Sequence, residues 1–180
     1  MAVDLFKHVS GKFYAIGDRN MQQINISELV ENEIRFFDFY LDFKHNVKKI
    51  TDLDGDLHDV NGSPADYSMF ISTWVRYAME AMRESPVKEF FVSTTRRNGH
   101  VILKFQDTGR PLPVEVKEAI LKGRPGQELK DEGASRLLLA ISLVRKYGVK
   151  FEIGHEAGIN ILSVEIPCQS VAIRRRAVRR

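Results

Sequence analysis

Thiol chemistry is nearly absent from this chain. Cys168 is the only cysteine among 180 residues, which excludes an internal disulfide and a cysteine metal cage. A reducing, cytoplasmic setting is the expectation. Long apolar runs are missing too. The strongest, Leu137 to Val144, falls far short of the roughly 20 residues a bilayer-spanning helix needs, so no membrane partner is expected. Met1 to Lys7 lacks the charged and apolar regions of a signal peptide. There is no internal repeat, and low complexity is confined to the C-terminus.

Net positive charge is missing from the body of the chain. Five arginines among residues 174–180 exceed the whole net charge of +3, which leaves residues 1–173 at −2. The tail has no interleaved aromatic residues. A solvated end therefore ranks ahead of a phosphate-binding one, and nucleic acid is not an expected partner. What remains has ordinary globular character, 43% hydrophobic and 28% charged, with enough length for a substantial core.

Periodicity orders the elements. Asn25 caps a helix with Glu28 three residues on; Val30, Ile34, Phe37 and Leu41 recur on one face, and the helix is expected to end near Phe43. Val47–Ile50 reads as a short strand and Asp52–Asp56 as a solvated loop, since its acidic spacing lacks the glycine position and closing glutamate of a calcium loop. Ser63 and Pro64 open a second helix whose stripe runs from Phe70 through Trp74 to Met82. Glu89–Thr95 and His100–Gln106 form a hairpin across Arg96-Arg97-Asn98-Gly99. Val114–Leu121 is a short helix. Lys122 to Gly133 holds three glycines, a proline and six charges, and is read as a lid or a disordered stretch. Ser135–Tyr147 is a helix apolar on most sides. Val149–Ile153 and Ile159–Ile166 are strands joined at His155–Gly158. This order predicts an α+β two-layer sandwich, with helices on one face of a mixed, mainly antiparallel sheet.

The chain pivots on Ile102 to Pro111. A strand ending at Asp107-Thr108-Gly109 holds a carboxylate at a sheet rim, with a glycine that admits a ligand to the backbone. A turn-capping aspartate explains Asp107 equally well. His8 carries little functional weight, because no Asp or Glu follows it.

From Gln22 to Pro167 the chain resembles the ATP-binding domain of histidine kinases, the GHKL or Bergerat fold. Ile24–Leu29 looks like the opening of that domain and Trp74–Met82 like its N-box helix. Asp107–Pro113 looks like the first glycine box, Gly133–Ile141 like the second, and Gly158–Pro167 like the last strand. The resemblance implies that Asp107 accepts from an adenine amino group. It also implies that an N-box asparagine holds magnesium, and that glycines bring backbone N–H groups to phosphates.

The departures from that pattern redirect the reading. Tyr77 takes the asparagine position, and a phenol is a poor ligand for magnesium. Arg76 stands where an acidic or amide residue is usual, and Glu80 lies a turn further on. The second glycine of the first box is Pro111. After Gly133 come Ala134, Ser135, Arg136, Leu137 and Leu138, the two leucines adding bulk where phosphates would pack. Arg110, Lys130 or Arg136 could meet phosphates instead, given a rearranged lid. Asp107, Gly109, Tyr77, Gly133 and Arg136 are thus the candidates for a vestigial nucleotide site.

No catalytic or metal-binding residue is expected, and no cofactor, with ATP lacking a normal magnesium site as the alternative. The expected organisation is a docking segment over 1–21, the kinase-like domain over 22–167 and a basic tail over 168–180. The stretch before Gln22 is too short for a phosphoacceptor helix pair, so ordinary autophosphorylation is not expected. The leading expectation is a degenerate, non-catalytic domain that binds a signalling protein in a bacterial two-component context, with a homodimer allowed. The alternatives are an ATP-dependent kinase acting on a partner in trans and, behind it, a nucleic-acid-associated regulator using the arginine tail.

Overall fold

A computed structural model describes residues 21–55, 60–123 and 131–168. The expected docking segment up to residue 20, the lid between 124 and 130, and the tail from 169 onward lie outside the described residues. So do His8 and Lys130.

Five strands make the main sheet: β2 (Lys48–Leu53), β4 (Glu89–Arg97), β5 (His100–Asp107), β6 (Lys150–Glu156) and β7 (Ile159–Pro167). Their order is β2-β4-β5-β7-β6. Only β2 and β4 run parallel; the other neighbours are antiparallel. Two tight turns join hairpins. Asn98 and Gly99 (φ 49° and 75°) link β4 to β5, and Ala157 and Gly158 (φ 48° and 80°) link β6 to β7. Positive φ at both positions matches the right-handed twist of the strands they join. Alternation gives the sheet one dry face. Phe90 and Val92 of β4, Val101, Leu103 and Phe105 of β5, and Leu162 and Val164 of β7 are all buried.

Helices cover that face. Helix α1 (Ile26–Phe37) starts at Asn25, whose side chain accepts from Glu28 N–H at 3.1 Å. It stops at Phe37, six residues short of the expected end, and a separate α2 (Leu41–Asn46) follows. The break has a packing cause. In a continuous helix Phe43 would point away from Phe37. The turn at 38–40 instead brings the two rings to 5.7 Å and places Phe43 against Phe90 at 6.1 Å. The expected loop at Asp52–Asp56 is also corrected, because β2 continues through Leu53. There Asp54 N–H donates to Thr94 Oγ1 at 3.0 Å, and Ser27 Oγ donates to Asp54 O at 2.5 Å.

Helix α3 (Pro64–Ala81) has Pro64 in its first turn, but Ser63 does not cap it with its side chain. Ser63 N–H donates instead to Tyr147 Oη at 3.1 Å. Phe70 and Trp74 of α3 meet Phe105 at 6.3 and 6.2 Å between ring centroids, in the middle of the core. Each such buried side chain contributes about 2–3 kcal/mol.

Helix α4 (Val114–Lys122) is short. Helix α5 (Glu132–Arg145) begins three residues earlier than expected. It is not buried on most sides. Ala134, Leu137, Ile141 and Val144 face the core, whereas Leu139 is 66% exposed. A small second sheet, β1 (Gln22–Ile24) with β3 (Val60–Gly62), escapes the sequence reading because three residues are too few to show alternation.

Candidate functional site

The turn after β5 is built tightly. Asp107 is 3% exposed. Its Oδ1 accepts from Gly109 N–H at 2.9 Å and from the Asn160 amide at 2.8 Å. The same amide donates to Gly109 O at 3.1 Å and Arg110 O at 3.0 Å. His155 Nδ1 lies 2.9 Å from Asn160 Oδ1. That oxygen can only accept, so the imidazole donates and fixes the amide with its nitrogen toward Asp107. Burial raises the Asp107 pKa, opposed by the bonds from Asn160 and Gly109 and by the nearby His155. Gly109 has its own steric reason. A Cβ there would stand 2.7 Å from Ala81 Cβ and 2.8 Å from its carbonyl carbon. Arg110 N–H donates to Ala81 O at 3.0 Å, fastening the turn to the end of α3.

A cleft of about 870 Å³ runs between α3 and α5. Tyr77, Gly133 and Arg136 line it, together with Arg110. Three of the five candidate residues therefore meet there. Asp107 and Gly109 are not among its lining residues; they support the turn that carries Arg110 to it. Leu137 and Leu138 do not occupy the space expected of them. Leu137 is fully buried in the core and Leu138 packs against it. The bulk at the cleft comes from Tyr77, Leu139 and Leu143.

The N-terminus of α5 closes one end of the cleft. Asp131 Oδ1 accepts from Ala134 N–H at 3.1 Å, so a carboxylate of the chain already occupies the helix start where an anion would sit. Burial raises the Tyr77 pKa, and Asp131 adds to that effect. Arg136 is paired with Glu132, and Glu80 with Arg83 at 2.5 Å. Gly133 is not sterically demanded, since a Cβ there would meet Asp131 Oδ1 at 3.1 Å and Tyr77 Cδ2 at 4.0 Å.

Sequence reasoning missed three of these residues. Asn160 is the polar member of the inward series 160, 162, 164, 166, which the alternation of β7 displays. Asp131, three residues before Ala134, has the spacing of a helix cap. His155 gave no sequence signal beyond its place beside a turn.

No family model matches the sequence, and no curated protein matches it. Solved structures do. The catalytic domain of histidine kinase ThkA superposes with a TM-score of 0.68 at 18% identity, over 84% of this chain and 99% of that one. The histidine kinase AdeS of Acinetobacter baumannii superposes with a TM-score of 0.62 at 15% identity, covering 93% of this chain and 77% of that one. Full-length ShkA in complex with AMPPNP gives 0.66 at 12% identity, covering 94% of this chain and 36% of that one.

The fold is that of a histidine kinase ATPase domain. Three positions at which the resemblance expects ATP and magnesium contacts carry other chemistry here. A phenol stands at the expected metal position. One oxygen of the carboxylate expected to meet adenine, Asp107 Oδ1, accepts from Asn160 and Gly109, and Asp107 is not among the cleft lining. The helix start expected to meet phosphate holds Asp131.

Proposed function

We propose that this histidine-kinase-like module does not use its cleft for magnesium-dependent phosphoryl transfer, and works by binding a protein partner in two-component-type signalling. The observation that carries this reading is the self-capped α5. Ala134 N–H, at the helix start that the resemblance expects to meet phosphate, donates to the Asp131 carboxylate instead. Phosphoryl transfer rests on cations that neutralise phosphate charge, and Tyr77 supplies no metal ligand in their place.

Thermal denaturation with ATP, with and without magnesium, tests the reading. A ligand at a hundred times its dissociation constant stabilises by about 2.7 kcal/mol, or about 5–10 °C for a domain of this size. The expected result is no magnesium-dependent rise. A rise that requires magnesium would overturn the reading in favour of a kinase acting in trans. A rise with ATP alone would make the nucleotide a regulatory ligand, a role to which Arg110 and Arg136 at the cleft lend support.

A further inference from the structure

Strand β2 forms one edge of the main sheet, with β4 on one side and no strand on the other among the described residues. Lys48 N–H donates to Lys88 O at 2.8 Å, on the β4 side. Alternation along the strand then turns the backbone groups of Lys49, Thr51 and Leu53 toward the open edge. Such a row of N–H and C=O groups is a template for another strand. The edge is accessible. Ile50 is 40% exposed, and Thr51 and Asp52 are exposed beside it.

The edge is self-complementary when it runs antiparallel to itself. Centred on Ile50, Lys48 falls opposite Asp52, Lys49 opposite Thr51, and Ile50 opposite Ile50. Val47 with Leu53 and Asn46 with Asp54 flank these pairs. Residues directly opposite share a sheet face and interact. Opposite charges therefore meet twice, apolar residues meet at the centre and at both flanks, and no like charges meet. With the backbone groups of Lys49 and Thr51 turned outward, Ile50–Ile50 and Lys48–Asp52 take the non-hydrogen-bonded positions, where side chains approach closest. The neighbouring registers fail. Centring on Lys48, Lys49 or Asp52 sets that charge against its own copy, and centring on Thr51 sets Ile50 against Asp52. Lysines on an edge strand ordinarily prevent pairing; here they select the register.

The surrounding charges allow it. Among the described residues Asp52 forms no ion pair, and Lys104 lies on its row of the outer face, two strands in. Lys48 Nζ is 2.9 Å from Glu89, an exposed pair, and the three donors of an ammonium leave room for a second carboxylate. Lys49 is matched by Asp38 at 2.5 Å and faces only Thr51. Strand pairing alone is small beside the roughly 1,200–2,000 Å² that a stable interface buries. The α1–α2 turn lies close by. Lys49 ties Asp38 to this edge, and Phe39 and Leu41 just after it are 45% and 72% exposed.

We propose that β2 pairs antiparallel with β2 of a second copy of this chain, about a twofold axis at Ile50, so that two sheets join into one. The pairing does not depend on what the cleft binds, and it stands or falls apart from the reading above.

Sedimentation velocity and light scattering on the full chain test it. The wild type is expected at twice the 20.6 kDa of one chain, dissociating on dilution. Lys48→Asp sets like charges opposite each other at two places and is expected to weaken association at least about tenfold. Asp52→Lys should do the same. Lys48→Asp combined with Asp52→Lys exchanges the signs and is expected to restore the dimer. Thr51→Pro deletes an outward N–H and spares the pairing with β4, as edge strands allow, so a monomer that is folded by circular dichroism is expected. Leu139→Glu, on the surface of α5, is expected to change nothing. A wild type that stays monomeric at high concentration would overturn the proposal. So would a dimer that survives Thr51→Pro, a folded double exchange that remains monomeric, or a dimer lost on Leu139→Glu. Should Thr51→Pro fail to fold, the charge exchange decides.

Discussion

Replacing Asn160 by alanine tests the Asp107 turn most directly. The substitution removes one amide that serves three buried or half-buried oxygens. Loss of a hydrogen bond to a charged group costs about 1.5–3 kcal/mol and to a neutral carbonyl about 1 kcal/mol. Water replaces part of the latter at Arg110. The expected destabilisation is about 3 kcal/mol at neutral pH, a fall of about 10 °C in Tm.

Its pH dependence is more specific. Burial places the folded-state pKa of Asp107 above its ordinary value of 3.8. A raised carboxyl pKa means the native state binds more protons than the unfolded chain between the two pKa values. The contribution of Asp107 to stability therefore falls as pH rises through the folded pKa, and is recovered on acidification. Removing Asn160 deletes a cause that lowers this pKa, which enlarges the effect. The gap between wild type and Asn160→Ala should narrow as the pH falls from neutrality toward the ordinary carboxyl value of 3.8. Urea denaturation followed by the fluorescence of Trp74, the sole tryptophan and 1% exposed, measures it. In an Asp107→Asn background the narrowing should vanish. A gap that stays constant, widens in acid, or narrows without Asp107 would refute the argument.

Other substitutions separate packing from ligand roles. Gly109→Ala is expected to cost about 2 kcal/mol through overpacking against the Ala81 backbone, seen as a drop of about 4–8 °C in Tm. Gly133→Ala is expected to stay within about 0.5 kcal/mol of wild type, because only the Asp131 side chain has to yield; a loss equal to that of Gly109→Ala would contradict the geometry of the cleft. Asp131→Ala should cost about 1 kcal/mol for the lost cap, measured by urea denaturation. Leu139→Glu should leave Tm unchanged, since Leu139 is largely exposed.

The sheet and its hairpins were legible because their signals are local. Alternation fixed the inward faces of β4, β5 and β7, and Asn98-Gly99 announced its turn. Elements decided by distant contacts were not legible. The break after Phe37 answers to Phe43 reaching Phe90, two residues far apart in the chain. The continuation of β2 through Leu53 answers to its parallel pairing with β4 as far as Thr94. The site was readable in part for the same reason. Spacing placed Tyr77, Gly133 and Arg136, which the structure gathers at one cleft. Nothing in the spacing told that Leu137 turns inward and Leu139 outward, because an apolar run longer than a helical turn does not name its own exposed face.

An Asp-x-Gly turn in this fold invites the inference of a nucleotide, yet here Asp107 Oδ1, Thr108 and Gly109 each have partners or neighbours within the chain. Gly109 is glycine because Ala81 leaves no room for a Cβ. Asp107 is a carboxylate whose oxygen receives the Gly109 N–H and the Asn160 amide, with His155 holding that amide in register. Thr108 is fixed as well, its hydroxyl donating to Val87 O at 2.6 Å and accepting from Glu89 N–H at 3.0 Å. A turn determined this fully by its neighbours stabilises the junction of α3, β4, β5 and β7 whatever occupies the cleft. The packing of the turn is therefore explained by its own neighbours. The residues that do face the opening, Tyr77, Arg110, Asp131 and Leu139, are the ones that anything entering the cleft would meet.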